Sequence, residues 1–357
     1  MPLTPRAFHR LAIGEVRRET PFAVSIAFAV PPALREIFRF TPGQYLTLRL
    51  IVDGAEIRRS YSLCSAPGDG EWRIAVKAVP GGAFSTLANT RLAAGDEIEV
   101  APPAGRFGLA PDPARARVFA AFAAGSGITP ILSQLRAILA EEPESRFFLA
   151  YGAPSGAEMM FREALFDLKN RAPGRFALFP ILSRERQDSD LLHGRLDGEK
   201  IARLLRHALP AASIDHALIC GPAAMAETVT AALLAAGLPE GRIRRERFAA
   251  TARSPASETP AANPAACHAI LTVEGRGHVI PIAAGETVLD AGLRAGLDLP
   301  YACRGGMCCS CRARLVAGEA DMAVNYSLEA WELAAGFVLT CQARPRGAEI
   351  AVDYDQM

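Results

Sequence analysis

Five of the chain's eight cysteines fall in its last 55 residues. Four of them, Cys303, Cys308, Cys311 and Cys341, follow C-x4-C-x2-C, with the last 30 positions further on. Thiolates at that spacing can hold the two irons of a [2Fe–2S] cluster, three from one tight loop and the fourth from the end of Gly336-Phe337-Val338-Leu339-Thr340. Gly305 and Gly306 let the loop backbone approach and aim N–H groups at the sulfurs, which favours the added negative charge of a reduced cluster. Cys309 lies off the pattern and reads as a non-ligand. The rival is structural zinc, but zinc sites show paired C-x2-4-C knuckles and only one close pair exists here. The other rival, free buried thiols, gives no reason for the spacing.

Further candidates lie upstream. Arg59-Ser60-Tyr61-Ser62 ends a β-like run; alone, R-x-Y-S says little. Some 20 residues on, Gly81-Gly82-Ala83-Phe84-Ser85-Thr86 puts a glycine pair before a helix start, which is a natural pyrophosphate cradle. Gly125-Ser126-Gly127-Ile128-Thr129-Pro130 follows the apolar run Val118–Ala124 and opens a helix with Pro130 in its first turn. It lacks the third glycine of the dinucleotide fingerprint. Its place after a strand still brings phosphates to the free N–H groups of a helix N-terminus. Leu218-Ile219-Cys220-Gly221-Pro222 is a second strand end before a helix, and Ser183-Arg184-Glu185 follows an apolar run at 178–182. The planar fork of Arg184 suits a phosphate, although a solvated arginine at a strand end is common. Glu246-Arg247-Phe248 comes just before a change in composition.

These residues need elements to hold them. A chain of 357 residues is long enough for two or three domains, and half its residues are hydrophobic. Net charge is +1, which offers no bulk capture of nucleic acid or membrane. The start resembles no signal peptide, and no apolar run approaches the roughly 20 residues of a membrane span. A cytoplasmic protein is expected. In that setting clustered cysteines mean metal or redox chemistry rather than cross-links.

The segment 251–265, with three prolines among small residues, predicts a semi-extended linker. Beyond it, 266–357 carries 7 basic and 11 acidic residues. Before residue 110, short β-like runs such as Tyr45-Leu46-Thr47-Leu48-Arg49-Leu50 and Trp72-Arg73-Ile74-Ala75-Val76-Lys77 alternate with turn residues, which predicts a small antiparallel barrel. From 111 to 250, strands Val118–Ala124, 147–151 and 216–220 alternate with helices at 131–140, 157–169 and 224–236. That order predicts a doubly wound parallel sheet. Phe38, Phe40 and Cys64 read as core. The expected domains are therefore 1–110, 111–250 and 266–357.

The last 90 residues resemble a plant-type ferredoxin domain, an α+β β-grasp fold. Ile270-Leu271-Thr272-Val273 would be its opening strand and 287–295 its helix. The first 250 residues resemble the ferredoxin–NADP reductase superfamily. That resemblance implies FAD rather than FMN on the barrel. Arg59 would pair with the pyrophosphate, Tyr61 and Ser60 would line the flavin, Ser62 would stand near N5, and Gly82, Ser85, Thr86 and Lys77 would contact the cofactor. In the second domain Gly125, Gly127, Thr129 and Pro130 would hold the nicotinamide nucleotide. Cys220, with Gly221 and Pro222, would border the hydride path, while Ser183 and Arg184 would choose NADPH over NADH. Glu246 and Phe248 would stand beside the flavin.

The order flavin, nicotinamide, ferredoxin resembles the reductases of multicomponent oxygenases, most of all those of the phenylacetyl-CoA epoxidase type. The implied partner is the oxygenase component, a multi-subunit di-iron epoxidase in aromatic catabolism. The alternative is a reductase for another ring-hydroxylating oxygenase, using FMN and NADH like phthalate dioxygenase reductase. Hydride carriers give electrons in pairs and such a cluster takes one, so a flavin between them has a physical purpose. Two readings from other classes stay open: an electron carrier with a vestigial flavin site, and a flavoenzyme acting directly on a small substrate.

Overall fold

The computed structural model describes residues 8–52, 54–248 and 267–356. The expected linker lies outside them. Backbone contacts divide the chain into two units, Met1–Phe248 and Ala249–Met357.

The first unit opens with a six-stranded antiparallel sheet: β1 (His9–Thr20), β2 (Ala23–Ala29), β3 (Tyr45–Val52), β4 (Ala55–Ser62), β5 (Trp72–Lys77) and β6 (Glu97–Val100), in the order β4-β3-β6-β1-β2-β5. Its edges meet through a Leu63–Ile74 bridge and a 2.8 Å bond from the Cys64 amide to the Arg73 carbonyl, which closes a barrel. Period-two alternation sends Leu11, Ile13, Leu46, Leu48, Ile74 and Val76 inward, all fully buried or nearly so. Helix α1 (Ala83–Thr90) adds Phe84 and Ala88 to that core. Phe38 is buried, Phe40 packs against the same core, and Cys64 is buried.

Next comes a five-stranded parallel sheet: β7 (Val118–Ala124), β8 (Arg146–Ala153), β9 (Phe176–Leu182), β10 (His216–Gly221) and β11 (Ile243–Arg247), ordered β11-β10-β7-β8-β9. Helices α2 (Ile128–Glu141), α3 (Arg162–Arg171), α4 (Gly198–His207) and α5 (Ala223–Ala235) connect the strands, and the sheet separates two apolar cores. The strand order reverses between β7 and β10. In such sheets ligands bind at that switch point, beyond the carboxyl ends of the strands.

One expected helix differs. The 157–169 pattern becomes a short turn at Gly156–Glu158, with α3 beginning only at Arg162. Met159, Met160 and Phe161 are drawn into the core, and Phe161 takes a left-handed φ of 57°. Burial of three consecutive apolar side chains overrides the helical period there.

Ala23, Cys64, Ala75 and Phe107 of the first domain share one core with Phe119, Leu132 and Leu135 of the second. Ser133 Oγ donates to the Ser65 carbonyl at 2.6 Å, and Arg136 pairs with Asp69 at 3.0 Å. The Gln134 amide meets both the N–H and the carbonyl of Leu109. Helix α2, whose N-terminus carries the Gly125–Gly127 turn, is therefore tied to the barrel along its length.

The second unit contains β12 (Cys267–Val273), β13 (Arg276–Ile282), α6 (Val288–Arg294), β14 (Arg312–Ala317), β15 (Ala320–Met322), α7 (Ala330–Ala334), β16 (Phe337–Leu339), β17 (Ala343–Pro345) and β18 (Glu349–Asp353). Its mixed sheet runs β13-β12-β18-β14-β16, with β12 and β18 parallel, and α6 packs against it as in a β-grasp fold. Thr287 caps α6 rather than joining it; its Oγ1 accepts the Asp290 N–H at 3.1 Å.

Candidate functional site

In the barrel, Arg59 and Tyr61 alternate with Ser60 and Ser62 along β4. Ser60 Oγ lies 3.0 Å from Thr47 Oγ1 on β3. The Tyr61 ring packs on Phe84, centroids 5.2 Å apart, and burial pushes its phenol above its ordinary range, against the pull of the Arg59 charge. The Arg59 guanidinium donates to the Arg58 carbonyl at 2.8 Å and, among the described residues, makes no ion pair.

Gly81 has a φ of +71°, and a Cβ on Gly82 would stand 2.4 Å from Ser85 Oγ, so the turn closes only on glycine. Ser85 Oγ is spent on this turn, donating to the Gly82 carbonyl at 3.2 Å and accepting the Val79 N–H at 3.1 Å. What α1 can offer an anion is thus its first-turn N–H groups and the exposed Thr86, rather than the Ser85 hydroxyl. A tight glycine turn before a helix, an arginine without a carboxylate and a half-buried tyrosine together fit a flavin dinucleotide.

In the parallel sheet, Gly125 has a φ of +54°, and a Cβ on Gly127 would stand 2.1 Å from the Cys220 carbonyl. These glycines let the loops after β7 and β10 touch at the switch point. Thr129 is buried and donates to the Ser126 carbonyl at 3.0 Å, and Pro130 is buried behind it. Both shape the turn from within. Lys77 Nζ lies 3.8 Å from where a Cβ on Gly125 would be, so Lys77 reaches the Gly125–Gly127 turn from the barrel. Ser183 and the exposed Arg184 follow β9 on the same carboxyl-end rim, their amides held by the carbonyls of Ala153 and Pro154. Glycines spared any clash, a nearby lysine and a helix N-terminus fit a nicotinamide nucleotide.

The two halves meet at Glu246. It stands opposite Cys220 in the β10–β11 register, and its Oε2 accepts from Ser62 Oγ at 3.1 Å. Burial pushes the carboxyl up to about 8, against the pull of the Ser62 bond. Burial, with the neighbouring Glu246 second, also pushes the Cys220 thiol well up, so it stays S–H at neutral pH. Phe248 follows, about one-third exposed. Ser62 and Cys220 are buried and Glu246 is half-buried beside them, a cluster of neutral hydrogen-bonding groups with no ionised nucleophile.

In the second unit the four thiols fall into two couples, Cys303 beside Cys308 and Cys311 beside Cys341. Two couples of thiols suit two irons. The amides of Gly305 and Cys308 donate to Cys303 Sγ at 3.3 and 3.4 Å. Within the first couple, the Cys308 S–H and these amides favour the thiolate at Cys303. Gly306, at φ +73°, has Val324 3.0 Å from its missing Cβ. Cys309 also takes a left-handed φ, 56°, and packs toward the domain core. The donor set and its converging N–H groups fit a [2Fe–2S] cluster.

Three supports escaped the motif reading: Tyr151, whose hydroxyl reaches the Gly125 carbonyl; Ser133, bonded to Ser65; and the buried Arg312–Glu332 pair beside Cys311. None has a local signature, because each partner is 20 or more residues away.

This arrangement defines a class, a flavin- and nicotinamide-binding oxidoreductase with an iron–sulfur domain. Family models match in the same order: an oxidoreductase FAD-binding domain at 23–108, an oxidoreductase NAD-binding domain at 122–231 and a 2Fe-2S iron-sulfur cluster binding domain at 271–346. The chain is 46% identical over 352 residues, 98% of each chain, to a subunit of the 1,2-phenylacetyl-CoA epoxidase of Escherichia coli K12. It is 32% identical to the ferredoxin reductase component of 3-ketosteroid-9-alpha-monooxygenase of Rhodococcus rhodochrous, over 96% of each chain. Among solved structures, phthalate dioxygenase reductase aligns over 97% of this chain and 98% of its own, at 26% identity and a TM-score of 0.59. The chain belongs to the ferredoxin–NADP reductase-like family of oxygenase reductases that carry FAD, NAD and 2Fe-2S domains in series. It is an NAD(P)H-dependent flavin and iron–sulfur oxidoreductase. No helix among the described residues is long and apolar enough to cross a membrane.

Proposed function

We propose that the protein carries electrons from NADPH, by way of FAD and the [2Fe–2S] cluster, to the oxygenase component of a multi-subunit di-iron epoxidase acting on phenylacetyl-CoA or a close aryl-CoA thioester. The observation that carries this reading is the 46% identity, over nearly the whole of both chains, to one subunit of a phenylacetyl-CoA epoxidase. When bound, a flavin accepts a hydride and returns electrons singly, and the cluster passes one at a time. The chain's own part is to bind, orient and exclude water. Domains at 1–110, 111–250 and 266–357, joined by 251–265, divide that work in a cytoplasmic protein.

In this reading Arg59 and the first turn of α1 after Gly82 hold the flavin pyrophosphate, with Thr86 at its rim. Ser60, Tyr61 and Phe248 flank the ring. Ser62 Oγ and the proton on Glu246 sit beside the reacting edge, with Cys220 S–H on the nicotinamide side. Gly125, Gly127 and Gly221 admit the nucleotide, Thr129, Pro130 and Pro222 shape the turns, and Lys77 supplies a cation. Ser183 and Arg184 take the 2′-phosphate. Cys303, Cys308, Cys311 and Cys341 hold the irons.

The test is reconstituted turnover with purified oxygenase components, phenylacetyl-CoA first, following NADPH oxidation and epoxide together. Epoxide formed in step with NADPH supports the reading. Turnover only with a ring-hydroxylating oxygenase or another acceptor would move the assignment to the alternative reading; the 32% identity to a steroid monooxygenase reductase makes that system the second one to try.

A further inference from the structure

The Gly125–Gly127 turn is held from inside the sheet. Tyr151 lies mid-β8, between Ala123 of β7 and Pro180 of β9, and is fully buried. Its hydroxyl donates to the Gly125 carbonyl at 3.0 Å. The Gly125 carbonyl also accepts the Ile128 N–H, which closes the turn. In a trans peptide the carbonyl and the following N–H point opposite ways. Fixing the Gly125 carbonyl toward the sheet therefore turns the Ser126 N–H outward, to the rim that Lys77 approaches. Gly125, at φ +54°, has no Cβ to resist rotation of that peptide. An outside restraint is what such a glycine needs.

The inward-drawn segment after β8 begins near Gly156, whose N–H donates to Glu185 at 2.7 Å. Glu185 directly follows Arg184. The segment after β8, on the strand that carries Tyr151, is thus fastened to the loop after β9, while the Tyr151 hydroxyl fastens the turn after β7.

We propose that Tyr151 is a positioning residue of the nicotinamide-nucleotide site: its hydroxyl orients the Gly125–Ser126 peptide so that the Ser126 N–H meets a phosphate. This rests on the nicotinamide reading above. It is a role for a core tyrosine that touches only protein.

The test is Tyr151→Phe in the full-length holoprotein, with NADP⁺ affinity read by difference spectroscopy and steady-state reduction of ferricyanide by NADPH. Losing one hydrogen bond from the cradle should raise Kd and KM about three- to tenfold, with kcat within about twofold and flavin and iron content unchanged. Phe147→Leu is the control. It thins the same strand's buried face without touching the turn, so it should lower Tm yet leave Kd alone. Gly125→Ala reaches the same peptide from outside and should raise Kd as well. If Tyr151→Phe is insoluble, Tyr151→Leu takes its place and is read against the same Phe147→Leu control. An unchanged Kd in Tyr151→Phe, or an equal rise in Phe147→Leu, overturns the proposal while leaving the nicotinamide site intact. A wild-type protein that binds neither NADP⁺ nor NAD⁺ overturns both.

Discussion

Ser62, the last residue of a barrel strand, donates to Glu246, on the last strand of the parallel sheet, across 3.1 Å and 184 positions of sequence. Because Glu246 also stands opposite Cys220, one carboxyl joins the flavin strand to the switch point of the nicotinamide sheet. Its burial has a measurable consequence. The folded carboxyl keeps its proton up to about pH 8, whereas in the unfolded chain it ionises near 4.5. Between those values the unfolded state binds fewer protons, so this group's contribution to stability falls as pH rises from about 4.5 to about 8, then levels off. Glu246→Gln should therefore gain on the wild type in denaturant unfolding at pH 8 relative to pH 5. Parallel stability curves for the two proteins would show that the carboxyl is not held neutral.

The cluster assignment separates Cys308 from Cys309, adjacent residues with opposite expectations. Cys308→Ser should lose iron and acid-labile sulfide and all electron delivery to an oxygenase, but retain most NADPH-dependent ferricyanide reduction. Cys309→Ser should keep full iron, since Cys309 packs toward the core rather than joining either thiol couple. Iron analysis reversing the two results would replace the ligand set.

Arg184 stands exposed on the carboxyl-end rim, where an adenosine 2′-phosphate would be met. Arg184→Ala should raise KM for NADPH by about tenfold, the worth of a charge-assisted bond discounted for exposure, and KM for NADH much less. A KM ratio that does not move would remove Arg184 from phosphate recognition.

How far these features could be read without coordinates depended on the separation of their parts. The cluster ligands lie within 39 consecutive residues, and glycine turns announce themselves locally, so both were legible. The parallel sheet was too, because strand and helix periods alternate cleanly from Val118 onward. Ser62 and Glu246 each lie in a legible motif, but nothing in either segment says that they bond. Tyr151 reads as one more apolar strand residue, and its hydroxyl matters only once β7 is placed beside it. At 157–169 the helical period misled, because Met159, Met160 and Phe161 are buried by the sheet and not by a helix face.

Arg312 and Glu332 were also invisible as a pair, since charges 20 residues apart usually belong to solvated faces. Here the two side chains are buried against each other, with the guanidinium 4.1 Å over the Phe337 ring. Glu332 Oε2 in addition accepts the Glu329 N–H at 3.0 Å, so the carboxylate holds the start of α7 as well as the arginine next to Cys311. Removing one partner strands a buried charge. Glu332→Ala should destabilise the C-terminal unit by about 3–5 kcal/mol, seen as an earlier loss of cluster absorbance in denaturant while flavin fluorescence from the first unit holds. Replacing both, as Arg312→Met with Glu332→Leu, removes the stranded charge and should recover much of that loss. A double variant as weak as the single one would mean that the geometry of the α7 cap, and not the burial of charge, is what the pair secures.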